Sequence, residues 1–230
     1  MRYVMSDIHG EFGLFQKMLK AISFGEGDEL YICGDVIDKG GSSVRLAKYI
    51  SRQSNMHCII GNHEDAFLKY YRYLMAQEED GNLDTVLERL CEYFPEGEAI
   101  DWELLDWLES LPYYVETEDF ICVHAGIPIL DNGQLLPLEK TQEEFLINDR
   151  RFKDPQAVHL TEKCVFFGHT QTDCICGKAQ VLVYPRAGAS KPYTVKDLYK
   201  VHLDTGASVN GVLACFCVDT CKAYYIKKTR

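Results

Sequence analysis

Apolar and polar positions alternate along the chain in two distinct ways. Five short runs of consecutive apolar residues recur, and each gives way at once to a cluster of Gly, Asp, Asn or His. Tyr3-Val4-Met5 precedes Ser6-Asp7-Ile8-His9-Gly10, and Leu30-Tyr31-Ile32-Cys33 precedes Gly34-Asp35-Val36-Ile37-Asp38-Lys39-Gly40. Cys58-Ile59-Ile60 precedes Gly61-Asn62-His63-Glu64, Phe120-Ile121-Cys122-Val123 precedes His124-Ala125-Gly126, and Val165-Phe166-Phe167 precedes Gly168-His169-Thr170. Runs of this length, rich in β-branched and aromatic residues, predict strands buried on both faces. Between the first two, Phe12, Phe15, Leu19 and Ile22 follow helical spacing, and Val44, Ala47 and Tyr49-Ile50 do so between the second and third. Strand–helix–strand–helix–strand predicts a layered α/β core.

The stretch from Asp65 to Leu111 is different. Its apolar residues (Phe67, Leu68, Tyr71, Leu74, Met75, Val86, Leu87, Leu90, Trp102, Leu104, Leu105, Trp107, Leu108) predict a helical insertion, punctuated at Gly81-Asn82 and Pro95-Glu96-Gly97. After Thr170 the pattern turns to short strands, Val181–Tyr184, Val201–Leu203, Val212–Val218 and Ala223–Ile226, expected as antiparallel hairpins. No linker composition divides the chain, so residues 1–230 are expected to form a single domain.

Ligands of open α/β sheets bind outside the carboxyl ends of the strands. All five polar clusters fall there, so five loops should converge on one rim. They bring Asp7, His9, Asp35, Asn62, His124 and His169, a mixed nitrogen and oxygen donor set without thiolate that suits Mn, Fe, Zn, Co or Ni. Six donors exceed one tetrahedral site and fit two ions sharing a carboxylate, with Asp35 the natural bridge. Two ions about 4 Å apart acidify a water, and the resulting bridging hydroxide can attack phosphorus in line. His63, directly after Asn62, is the candidate general acid and Asp38 its carboxylate partner.

Bulk properties narrow the setting. The apolar share of 47% with 26% charged residues is that of a globular chain, and the longest apolar stretch, Val212–Val218, is too short to cross a bilayer. Met1–Met5 leaves no room for a signal peptide ahead of the first motif, so a cytoplasmic location is expected. A net charge of −11 argues against nucleic-acid and membrane partners, and a basic tail, Lys227-Lys228-Thr229-Arg230, reads as solvated. Ten cysteines without an export signal argue against a disulfide framework. Cys33, Cys122 and Cys164 lie in apolar runs and read as core. Cys174-x-Cys176 and Cys215-x-Cys217 would each share one face of a strand, a spacing unlike zinc knuckles.

As an ordered set, Asp-x-His, Gly-Asp-x-x-Asp-x-Gly, Gly-Asn-His-Glu, His-Ala-Gly and Gly-His-Thr resembles the calcineurin-like metallophosphoesterase superfamily, from Ser6 to Thr170. Leu203-Asp204-Thr205-Gly206 resembles a common C-terminal element of it. The bacterial phosphoprotein-phosphatase branch is the nearest match, with symmetrical diadenosine tetraphosphatases as close relatives. The resemblance implies an α/β/β/α sandwich of two mixed sheets and two divalent ions, Mn with Fe or Zn as alternatives. It assigns Asp7, His9 and Asp35 to one ion and Asp35, Asn62, His124 and His169 to the other, with His63 and Asp38 as general acid and partner. It also exposes departures. Lys39 and Ile60 stand where protein phosphatases carry phosphate-binding arginines, and a third such arginine has only Arg150 or Arg151 to represent it. Lys39, Arg150 and Asn62 are therefore the candidate substrate contacts. The function expected first is hydrolysis of phosphoserine or phosphothreonine in proteins. The alternatives are hydrolysis of a dinucleoside polyphosphate or similar small molecule, and a non-catalytic phosphate-binding protein.

Overall fold

A computed structural model describes residues 1–78, 82–94 and 99–228 of the chain. The apolar runs form strands as expected. In the first sheet, β1 (Arg2–Met5), β2 (Glu29–Ile32) and β3 (Met56–Cys58) run parallel. β9 (Val212–Cys217) pairs antiparallel with β1, and β10 (Lys222–Lys227) extends it as a hairpin. The strand order is β10-β9-β1-β2-β3. The second sheet has the order β4-β5-β6-β8-β7, from β4 (Tyr114–Glu116), β5 (Phe120–Val123), β6 (Cys164–Phe167), β7 (Leu182–Pro185) and β8 (Leu198–His202).

Alternate residues of each strand serve two cores, which is why the strands read as unbroken apolar runs. Val4, Phe216, Phe120, Cys122, Cys164 and Phe166 meet between the sheets. Tyr3, Met5, Leu30 and Ile32 instead face the helices, with Phe15 and Met18 of α1 (Phe12–Ala21) and Val44 and Ala47 of α2 (Ser43–Ser51) in the same cluster. Phe167 and Val165 point away from the inter-sheet core and pack with Phe152, Leu146 and Ile147, the last two from the short α6 (Glu143–Asn148). This is the two-sheet sandwich that the motifs implied. Cys33, Cys122 and Cys164 are buried thiols, as expected, and all ten cysteines are free.

The insertion is helical: α3 (Asn62–Gln77), α4 (Leu83–Tyr93) and α5 (Trp102–Glu109). Asn82 caps α4 through its side chain, whereas Gly81 and Pro95-Glu96-Gly97, like the tail residues Thr229 and Arg230, lie outside the described residues. Four expectations need correction. β3 ends at Cys58, so Ile59 and Ile60 follow the strand rather than belong to it. α3 begins at Asn62, so Asn62 and His63 open a helix instead of sitting in a loop. β8 is not simply one arm of a hairpin: it pairs antiparallel with β7 but also parallel with β6, and non-local pairing leaves no trace in local periodicity. Cys174 and Cys176 lie on a short helix, α7 (Asp173–Cys176), whose C-terminal Gly177 takes the left-handed conformation, so the two thiols do not share a strand face.

Candidate active site

The carboxyl ends of β1, β2, β5 and β6 and the start of α3 meet on one rim. Beyond the strands the loops stay paired: His9 N–H donates to Asp35 O (2.9 Å), Gly10 N–H to Val36 O (2.7 Å), and Gly168 N–H to His124 O (2.8 Å). The chain there is bent sharply. Asp7, His9, Asp35, Asp38, Lys39 and His169 all have positive φ (48° to 69°), and only Ser23 and Cys221 share that property among described non-glycine residues. Left-handed backbone is costly for residues with a Cβ and collects where function holds it.

Asp35 is the centre. Its Oδ2 lies 3.5 Å from both His9 Nε2 and His124 Nε2 and 3.9 Å from His63 Nε2. Asp35 belongs to both groups of ligand atoms close enough to hold an ion, with His9 and His63 in one and Asp7 and His124 in the other. Asn62 Oδ1 lies 2.9 Å from His124 Nε2 and 2.8 Å from His169 Nδ1, so Asn62 and His169 complete the second group. All six sequence-predicted ligands are therefore together. The geometry places His63 beside the first group as well, 4.8 Å from the His9 ring.

The protonation pattern suits cations. His9 Nδ1 donates to Ile37 O (2.9 Å) and His124 Nδ1 to Cys33 O (2.8 Å). With Nδ1 so engaged, Nε2 is the ring atom turned inward, the arrangement that backbone carbonyls impose on metal-binding imidazoles. Burial, reinforced by neighbouring positive groups, pulls His9 and His169 down to about 3, so both stay neutral. Burial pushes the Asp7 and Asp35 carboxyls up to about 6. Imidazole nitrogens, buried carboxyls and an amide oxygen converge at 2.8–3.5 Å, and this nitrogen and oxygen donor set fits two divalent ions.

Two glycines permit this crowding. A Cβ on Gly61 would stand 2.2 Å from Asp35 Oδ1, and one on Gly168 would stand 2.0 Å from Asp7 Oδ2. Backbone amides complete the hold on the carboxylates: His63 N–H donates to Asp35 Oδ1 (3.1 Å) and His169 N–H to Asp7 Oδ2 (3.0 Å).

His63 Nδ1 and Asp38 Oδ2 are 2.7 Å apart, which joins the predicted acid to its predicted partner. Burial lowers the His63 pKa, but the Asp38 hydrogen bond and the Asp35 charge outweigh it, and the net shift is upward. Lys39 Nζ lies 2.8 Å from His9 Nε2, inside the cluster. Arg150 is exposed, and its charge reaches His169. Ile60, by contrast, is buried in the helix-side core.

Three residues outside the predicted site set also bear on it. Glu64 is fully buried, and its carboxylate accepts four backbone N–H groups: Gly61 (2.8 Å), Asp35 (2.9 Å), Val36 (2.7 Å) and Ile37 (3.1 Å). It ties the β2 loop to the start of α3. Its signal was present as a glutamate at the third position of a helix, the capping-box placement. Tyr93 of α4 donates to Asp38, and nothing local announces that. Asp204 is buried; burial and then the Asp7 charge hold its carboxyl well above the usual range.

The family model for calcineurin-like phosphoesterases matches residues 3–202. A symmetrical bis(5'-nucleosyl)-tetraphosphatase of Chromobacterium violaceum is 30% identical over 155 residues, covering 66% of this chain and 52% of the relative. The chain thus spans about half the length of the curated relatives it matches. A crystal structure of a protein provisionally described as a diadenosine tetraphosphatase superposes with TM-score 0.70 at 18% identity, covering 98% of this chain and 92% of that one. A protein serine/threonine phosphatase of Saccharomyces cerevisiae superposes with TM-score 0.55 at 14% identity, covering 100% of this chain and 80% of that one. At such identities the last two share the fold, and the fold does not choose between their substrates.

Proposed function

From a chain that belongs to the calcineurin-like phosphoesterase family, we propose a metal-dependent hydrolase that cleaves a dinucleoside polyphosphate of the diadenosine tetraphosphate kind. The chemistry rests on one observation: His9 and His124 converge from two sheets on the single oxygen Asp35 Oδ2, at 3.5 Å each. The substrate class draws on the sequence relatives, which are tetraphosphatases, and on Lys39 and the buried Ile60 standing in place of phosphatase arginines.

Asp7, His9 and Asp35 would hold one divalent ion and Asp35, Asn62, His124 and His169 the other, with Mn the expected metal. Bound there, such ions polarise the phosphoryl group and acidify a water. The chain's own residues do the rest. Lys39 and Arg150 bring positive charge to opposite sides of the cluster and orient the phosphate oxygens. His63, held protonated by Asp38, delivers a proton from Nε2 to the oxygen that leaves phosphorus.

A second reading keeps phosphoserine and phosphothreonine as substrates, and the His63–Asp38 pair favours it, because alkoxide leaving groups need that proton most. The test compares diadenosine tetraphosphate, a phosphoserine peptide and p-nitrophenyl phosphate as substrates with added Mn. Preferred cleavage of the tetraphosphate is the expected result. A higher kcat/KM on the peptide would transfer the assignment to the protein-phosphatase reading, and saturable phosphate binding without turnover would make the chain a binding protein.

A further inference from the structure

A cavity of about 410 Å³ is bordered by Arg150, Arg151, Lys153, Asp154, Pro155 and Ile175. Half of that wall is cationic in a chain whose net charge is −11. Arg151 is tied to Asp149 (3.1 Å), whereas Arg150 and Lys153 form no ion pair among the described residues. Ala125 N–H donates to Leu146 O (2.7 Å), and Phe152 packs directly on Gly126, so the loop that bears these cations runs beside His124, whose Nε2 lies 3.2 Å from Nδ1 of His169. Ile175 belongs to α7, a few residues beyond that same His169.

The loop that carries these cations is held from behind. Lys200 on β8 is fully buried, and its ammonium donates to Phe152 O (2.7 Å), Asp154 O (2.7 Å) and Ala157 O (2.9 Å). It also lies over the rings of Phe152, Tyr184 and Tyr199 at 4.9–5.8 Å. Three carbonyls and three aromatic faces satisfy the buried charge and fix the backbone from 152 to 157. Cations mounted on a fixed loop lose little freedom on meeting an anion. A hollow at the opposite end of the second sheet offers no such charge. There Lys163 pairs with Glu116, Lys196 with Asp119, and Arg186 is spent on the carbonyls of Thr161 and Glu162.

We propose that the Arg150–Arg151–Lys153 cavity is a second phosphate subsite, which receives the part of a polyphosphate chain extending beyond the phosphorus held at Asp35. Arg150, Lys153 and Arg151 take the phosphates that follow. A monoester has no group to place there, so the subsite selects substrates with several phosphates in a row. This inference rests on the small-molecule reading of function.

The test measures calorimetric affinities for inorganic tripolyphosphate and for orthophosphate in excess Mg, using the full chain and its Lys153→Glu and Arg151→Gln variants. Lys153→Glu should weaken tripolyphosphate about tenfold more than orthophosphate, a difference of about 1.4 kcal/mol. Arg151→Gln should move the ratio in the same direction, and unchanged thermal midpoints exclude misfolding as the cause. Equal loss of both anions, or no loss of either, overturns the subsite. Turnover of diadenosine tetraphosphate by the unmodified chain is scored separately. Discrimination without turnover keeps the subsite and sinks the proposed reaction, and turnover without discrimination does the reverse.

Discussion

Tyr93 Oη donates a hydrogen bond of 3.2 Å to Asp38 Oδ2, the same oxygen that lies 2.7 Å from His63 Nδ1. Tyr93 ends α4, so the second helix of the insertion reaches the partner of the acid through its phenol. Its ring is held by Phe67 and Phe94 at 5.2 and 5.0 Å, and burial, then Asp38, push its pKa up to about 12, so it remains a donor. Tyr93→Phe should lower kcat about fivefold with little change in KM, the effect of losing one hydrogen bond of about 1 kcal/mol. A KM effect alone would mean that the insertion acts on binding instead.

His63→Gln should show leaving-group dependence. Proton delivery contributes about 100-fold or more where the departing oxygen is basic. The loss should therefore be largest on alkyl phosphates and smallest on p-nitrophenyl phosphate or polyphosphate, whose leaving groups depart readily as anions. Rates across a series of leaving groups test this, and a uniform loss would assign His63 to metal binding.

Asp35→Asn removes the carboxylate shared by both ligand groups. Outer partners of metal sites are worth about 10–100-fold in affinity or activity, and a shared ligand should exceed that. Elemental analysis after dialysis should find both ions depleted together, and hydrolysis should fall at least ~100-fold. Loss of a single ion would dispose of the bridging role.

Glu64→Gln exchanges an acceptor of four N–H groups for an amide that can satisfy only part of them. Hydrogen bonds to a buried charge contribute about 1.5–3 kcal/mol, so unfolding in urea should show a loss of about 3 kcal/mol. A change under about 0.5 kcal/mol would place Glu64 with ordinary surface positions.

His202 is fully buried and stacks on Phe167, ring centroids 4.3 Å apart, and burial pulls its pKa from 6.5 to about 3. A depressed histidine stays neutral when folded but binds a proton when unfolded, so its contribution is complete above pH 6.5 and is lost as pH falls toward 3. Between pH 7 and 5 the cost is about 2 kcal/mol. His202→Phe keeps the stack and should flatten the stability curve by that amount over this range. An unchanged slope would mean that other groups govern acid unfolding.

Much of the site could be read from the chain because each ligand follows directly on an apolar run. A strand buried on both faces must end where its loop reaches the rim, so position along the chain already implied position in space for Asp7, Asp35, His124 and His169. Gly61 and Gly168 carried the same message, since a Cβ at either position would stand about 2 Å from one of those carboxylates. Helical spacing likewise disclosed α1, α2 and the insertion.

Other features depend on partners far apart in the chain. The hydrogen bond from Tyr93 to Asp38 spans 55 residues, and Lys200 reaches carbonyls more than 40 residues away. The parallel seating of β8 against β6 follows from hydrogen bonding between strands, which side-chain periodicity does not encode. The amino-acid order determined which side chains stand at the strand ends and which faces are apolar. Only the tertiary structure decided that His9 and His124 from two sheets would meet at one Asp35 oxygen, that a tyrosine from the insertion would hold Asp38, and that a buried lysine would brace a basic loop beside the site. Burial patterns are local and written every two or four residues, whereas convergence is set by how whole layers pack.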